Sequence, residues 1–161
     1  MTPSPYATYV DGVDVLRSLE ETPRRIEALV RAWPRETDRR SYAPGKWTAS
    51  QLLTHLAHIE MVFALRLRFA LTQAGYVVQT FEQDDWMGVE SSQPALAALD
   101  GYVGLRVMNL ALCRSLSAEQ RARTFTHPQF GPVNVDWLIA WCAGHERHHA
   151  PQIEAIAKGQ A

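Results

Sequence analysis

A chain of 161 residues is the size of one ordinary domain with a real core, so residues 1–161 are expected to form a single unit. Its 47% hydrophobic and 20% charged content excludes a disordered chain, and a formal net charge of -1 leaves no basic footprint for nucleic acid. The longest membrane-like run, Met61 to Leu71, is broken by Arg66 and Arg68 and is too short to span a bilayer, so no membrane partner is expected.

Residues 1–21 read as a weakly patterned N-terminal extension, in which Val13, Leu16 and Leu19 make at most a short amphipathic stretch. Thr22-Pro23 is the first clear helix start, an N-cap followed by proline at the first position, and Ile26, Leu29, Val30 and Trp33 repeat at helical spacing after it. The charged segment Glu36 to Gly45 reads as a loop. Thr48-Ala49-Ser50-Gln51 is a capping box, with Trp47 placed to staple Leu52, and predicts a second helix running to about Gln73. Its apolar stripe is Leu52, Leu56, Ile59, Phe63, Leu67 and Ala70, and His55 falls inside that stripe.

Gly75 to Gln93 lacks periodicity and reads as a long crossover loop, which lets the next helix run parallel to the last. A third helix begins near Pro94 with Leu96, Leu99, Tyr102, Val103, Val107, Leu110, Cys113 and Leu116 on its inner side. Ser117-Ala118-Glu119-Gln120 is a second capping box and marks a short extra turn. His127 to Pro132 is turn-rich and cannot be helical throughout. Asn134 caps a fourth helix, Val133 staples Leu138, and the inner stripe reads Leu138, Trp141, Cys142, His145, His149, Gln152 and Ile156. Pro151 predicts a kink or bulge just after the histidines. The start of the chain, Met-Thr-Pro-Ser-Pro, has neither basic residues nor an apolar signal core, and Cys113 and Cys142 sit in helical patterns like small buried hydrophobes. Both features point to the cytoplasm.

His145-Glu146-Arg147-His148-His149 is the stretch with chemistry in it. On a helix His145 and His149 lie about 40° apart, one turn along the axis, so both imidazoles can bite one metal ion. The five residues match H-E-x-x-H, in which two histidines hold zinc and the glutamate polarises a water. The third ligand must come from elsewhere, and His55 on the facing stripe is the candidate. Three imidazoles leave an open position, as catalytic sites do. His148 competes with His149, His58 can replace or orient His55, and His127 lies in a loop within possible reach. Glu146 lies about 100° around the helix from His145. It is the candidate catalytic proton shuttle, although residues so placed on bundle helices more often make a salt bridge at the rim. Trp86 is the aromatic best placed to line a pocket, and Asp84 and Asp85 can cap it with negative charge.

The chain resembles the DinB/YfiT-like metalloenzymes, the DinB superfamily, from about Thr22 onwards. The matching stretches are Gly45 to Thr48, Leu53 to Ala57, Phe81 to Trp86, His127 to Val133, and Gly144 to His149 followed by Gln152-Ile153. The resemblance implies an all-α fold, a four-helix bundle with an up-down-down-up course that is often a homodimer. It also implies a divalent metal held by His55, His145 and His149, and it leans towards transfer or isomerisation with low-molecular-weight thiols. His58, where an acid is common, and Pro151 depart from the pattern. The leading expectation is a metal-dependent enzyme, a transferase or hydrolase, that activates water or a thiol against a small-molecule substrate. Zinc, nickel, iron and manganese all suit the site, and imidazole alone does not choose among them. The alternatives are a non-enzymatic metal-stabilised dimer or small-molecule sensor, and a zincin-type peptidase, whose usual downstream ligands are missing here.

Overall fold

Helix α1 spans Val15–Ala32 in a computed structural model that describes residues 2–90 and 93–159. Asp14 caps it, its carboxylate accepting from the Arg17 N–H, so Thr22 and Pro23 lie inside the helix rather than at its start. The early start buries Leu19 completely. Pro23 has no N–H to offer the Leu19 carbonyl one turn back. The Arg106 guanidinium of a neighbouring helix donates to that carbonyl instead, at 3.0 Å, which removes the main cost of a proline at this position.

Helix α2, Ala49–Thr72, begins at the expected capping box, with Thr48 and Gln51 bonded reciprocally, and Trp47 packs against the core beside Leu52. The crossover is not all loop. It contains a short helix, α3, Gln83–Glu90, docked on α2 where the His58 ring meets Trp86 and lies 3.2 Å from Glu90. Eight residues carry little periodic signal, and a helix so short depends on what it packs against. Ser91 and Ser92, which the sequence places in the crossover, lie outside the described residues.

Helix α4, Ala95–Ser115, is followed by the short α5, Ala118–Ala122, with its capping box formed at Ser117. Strands β1, Thr124–His127, and β2, Gly131–Asn134, make an antiparallel hairpin in which Phe125 pairs with Val133 and His127 with Gly131. The crossover is tied to it through Tyr76 and Val78, which bond the backbone of Thr126. Helix α6, Val135–Ala157, starts at Asn134 and continues through the exposed Pro151 without the bulge that is one of the two outcomes expected there.

The contacts fix the course of the four long helices. On α2 and α4, Ser50 bonds Gln93 just before α4, Glu60 bonds Arg106, and Arg68 bonds Asn109, so these two helices run parallel. Helix α1 runs antiparallel to α4, since Glu20 meets Arg114 and Arg31 meets Asp100. Helix α6 runs antiparallel to α2, with Glu60 facing Cys142 and His55 facing His145 and His149. The result is the up-down-down-up bundle, with a hairpin added. Helix α4 is long and apolar enough to cross a membrane by length and composition, but its inner face carries Arg106 and Asn109 and packs on α1 and α2.

The apolar core is in two parts. One gathers around Phe63, Leu67, Leu110 and Leu138, the other around Leu52, Leu56, Leu99 and Ile153. Between them lies a polar layer of Glu60, Arg106, Asn109 and Glu146, all nearly inaccessible. Arg106 reaches every long helix: the Leu19 carbonyl on α1, Glu60 on α2 and Glu146 on α6. The α4 stripe therefore differs from the apolar reading, because Arg106 and Asn109 face inward while Leu96 and Val107 are 42% and 65% exposed. Arg106→Ala should cost about 3–5 kcal/mol, because it strands buried carboxylates and a carbonyl. Chemical denaturation would measure this, and a loss below about 1 kcal/mol would mean that the layer does not hold the bundle together.

Candidate functional site

The seam between α2 and α6 brings three histidines together. His55 comes from the middle of the second helix, and His145 and His149 lie one turn apart on the last. One ring nitrogen from each lies within 4.8 Å of the others, and all three residues are buried. Nε2 of His55 and Nε2 of His145 are 3.0 Å apart. Two imidazoles sharing one ion at about 2.1 Å each, with angles from octahedral to tetrahedral, would stand about 3.0–3.4 Å apart. His149 holds its Nδ1 against the Gln152 side-chain oxygen at 2.8 Å, which puts the proton there and leaves Nε2 with its lone pair. Nδ1 of His55 and of His145 is buried with no partner among the described residues.

Electrostatics keep these rings neutral. Burial, helped by the neighbouring imidazoles, pushes His55 down to about 3 and His145 well below the ordinary range. Burial likewise lowers His149 to about 4, despite the bond to Gln152. A cluster of neutral, converging imidazole nitrogens has the donor chemistry that a divalent cation needs.

Glu146 faces the other way. Its carboxylate accepts from the Tyr102 hydroxyl and from Arg106 Nη1, inside the bundle. Burial, and after it the Glu60 carboxylate, pushes its pKa well above the usual carboxyl range. The step of about 100° along the helix thus separates the two chemistries of H-E-x-x-H: histidines to the seam, carboxylate to the polar layer.

The other histidines divide similarly. His148 bonds the Tyr9 hydroxyl at 2.8 Å and stays out of the cluster. His58 is buried under α3, not solvated, and bonds Glu90. His127 lines the same cavity as His145. That cavity, about 460 Å³, opens beside His145 under the crossover, with Phe81 and Asp84 on one side and Trp141 on another. Trp86 borders a neighbouring cavity and packs on His58, and Asp85 joins it there.

Sequence reasoning missed the part played by the N-terminal residues. Tyr6 sets its ring edge-on to His145, with centroids 5.1 Å apart, and also lines the cavity. Its backbone crosses α6 at Gly144, where an added Cβ would come within 2.6 Å of the Tyr6 carbonyl oxygen. Glycine at position 144 is the signal that could have revealed this close approach. Trp47 packs beside His55 and Trp141 stacks on His145, so aromatic rings cover part of the cluster.

Comparison with known proteins gives this geometry a family. A protein of Oceanobacillus iheyensis, provisionally named a metal-dependent hydrolase, is 28% identical over 144 residues, covering 89% of this chain and 84% of its own. A second from the same organism, with the same provisional name, is 27% identical over 148 residues, or 91% and 86% of the two chains. Among solved structures, YfiT of Bacillus subtilis, described as having an unusual four-helix bundle topology, superposes with a TM-score of 0.82 at 22% identity, over 91% of this chain and 85% of that one. A mycothiol-dependent maleylpyruvate isomerase superposes at 0.71 with 15% identity, over 87% of this chain and 59% of that one. These two likenesses carry the fold alone. The family model described as the DinB superfamily matches residues 18–153, and the chain belongs to that superfamily.

Proposed function

We propose that the protein is a metal-dependent enzyme acting on a small molecule, with His55, His145 and His149 holding one divalent ion. The observation that carries this is the convergence of three buried, neutral imidazoles at the edge of a cavity. When bound, the ion would supply Lewis acidity, making a water or a thiol nucleophilic near neutral pH. The protein's own groups do the rest. Gln152 orients His149, Trp47 and Trp141 exclude water from the ring faces, and the cavity beside His145 admits the substrate.

Hydrolysis is supported by the provisional names of the sequence relatives, and thiol transfer by the mycothiol-dependent structural neighbour. Both take the same site. The peptidase reading has less support, since the Glu146 oxygens are engaged by Tyr102 and Arg106 and do not face the histidines. In our reading Glu146 positions α6 and is not the proton shuttle. Residues 1–161 act as one unit, because Tyr6 completes the wall around His145. We also assign the chain to a homodimer in the cytoplasm, its contact surface the exposed Leu65 and Phe69 of α2 and Met108 of α4.

Elemental mass spectrometry of the purified protein should find about one divalent ion per chain, lost in both His55→Ala and His145→Ala. Retention of metal by either variant would break the trio. Chelation should leave most of the fold intact by circular dichroism, whereas wholesale unfolding would favour a purely structural ion.

The metal-free protein should also lose stability in acid. Below about pH 6.5 the unfolded chain protonates these rings while the native trio stays neutral, so the unfolded state binds more protons and stability rises with pH. The loss should run from about pH 6.5 downwards, towards about 3 for His55 and about 4 for His149. Denaturant midpoints across this range should fall, and less so in His145→Gln. A flat profile would mean that the rings are not held neutral.

A further inference from the structure

The cavity beside His145 is lined by a buried cation that the proposed function leaves unused. Arg66 sits in the middle of the apolar run of α2 and is only 6% exposed. Its Nη2 donates to the Gln79 carbonyl at 3.1 Å, Nε is buried with no partner, and Nη1 bonds nothing among the described residues. It forms no ion pair there. A guanidinium stays charged even when buried, and a buried charge without a counter-charge is costly. Phe81 lies under the guanidinium, its ring centroid 5.9 Å from Cζ, and lines the same cavity.

His127 stands on the same wall system, carried there by β1. It is 8% exposed, and its Nδ1 accepts from the Gln129 N–H at 3.2 Å. Its proton therefore sits on Nε2, which has no protein partner among the described residues. The two groups are close enough for Arg66 to disfavour protonation of the His127 ring, after the larger effect of burial. A fixed cation and a neutral N–H donor thus share a cavity whose other walls include Ile59, Phe130 and Trp141.

We propose that Arg66 and His127 form a binding subsite for a carboxylate of the substrate, whose apolar remainder lies along Phe81 and Phe130 towards His145. The planar guanidinium matches a carboxylate bidentately, and the His127 Nε2–H can supply a further donor. Charge selects a monoanion. Among the described residues Arg66 is the one cationic side chain that lines the cavity, and Glu82 and Asp84 line it too, so a phosphate dianion would meet more repulsion there than a monocarboxylate that pairs with the guanidinium. The substrate class is therefore a small monocarboxylic acid, or its ester or thiol conjugate at the far end, with a hydrophobic body. This deepens the proposed function, since it places the reacting end of that acid at the histidine cluster.

The test uses the full-length protein after chelation, so that no metal contributes. Butyrate titrated into labelled protein and followed by NMR should shift the Arg66 Nε–H and His127 ring resonances saturably. Arg66→Gln should weaken binding at least about tenfold, and Arg66→Lys should fall between the two. Absence of a saturable shift at the Arg66 Nε–H overturns the subsite, and this readout on wild type decides even if Arg66→Gln does not fold. Equal affinity in a folded Arg66→Gln also overturns it, as does tighter binding of inorganic phosphate than of butyrate. Because these measurements need no ion, butyrate binding without metal stoichiometry would sink the enzyme reading alone, and the reverse result would sink the carboxylate subsite alone.

Discussion

Arg106 is the contact on which the rest of the structure depends. A guanidinium 4% exposed, in the middle of a four-helix bundle, would be ruinous if unpaired, yet its donors meet Glu60, Glu146 and the carbonyl that Pro23 leaves without a donor. Asn109 satisfies Glu60 further, through its side-chain amide. Apolar side chains tolerate sliding and repacking. A buried charge with directional partners on three other helices does not, because a shift of one turn on any of them strands a charged group. The layer therefore sets the register of all four long helices, at the cost of dividing the apolar core.

The same layer sets the rotation of α6, and with it the histidine site. Glu146 is drawn inward by Arg106 and Tyr102, and the residue before it must then point to the α2 seam. His149 follows one turn later and meets His55. The Glu146 carboxylate and the imidazoles thus leave one helix on different faces: the carboxylate is bonded to Arg106 and Tyr102 in the interior, and the imidazoles are neutral at the edge of a cavity. The histidines are left with their lone pairs, without a carboxylate to hold them protonated.

The walls of that cavity come from segments far apart in the chain. Tyr6 precedes the first helix, Phe81 and Asp84 belong to the crossover, His127 ends a hairpin strand, and Trp141 and His145 lie on the last helix. The short pairing of residues 76–78 with Thr126 anchors the crossover against the hairpin, so both reach the site together. A bundle topology shared with YfiT at 22% identity shows how little sequence is needed to keep this scaffold. Loops and termini then shape the part of it that meets a ligand.

Local signals in the sequence were enough for the starts of α2, α5 and α6 and for placing His55, His145 and His149 on inward faces. Capping boxes at Thr48 and Ser117 and the cap at Asn134 are short-range hydrogen-bond patterns, readable from a few adjacent residues, and each helix starts where its cap stands. His145 and His149 share a face by helical geometry alone, and His55 lies on the apolar stripe of its own helix. Other features depended on partners distant in the chain. Pro23 reads locally as a helix start and becomes an interior residue because Arg106 supplies the missing donor. Arg106 and Asn109 are not part of the apolar stripe of their helix, and they face inward because Glu60 stands opposite them. Helix α3 exists by docking on α2, and Glu146 takes its place from Tyr102 and Arg106 rather than from the motif that contains it. Periodicity and capping are properties of neighbours in sequence, whereas the pairing of buried charge is a property of neighbours in space.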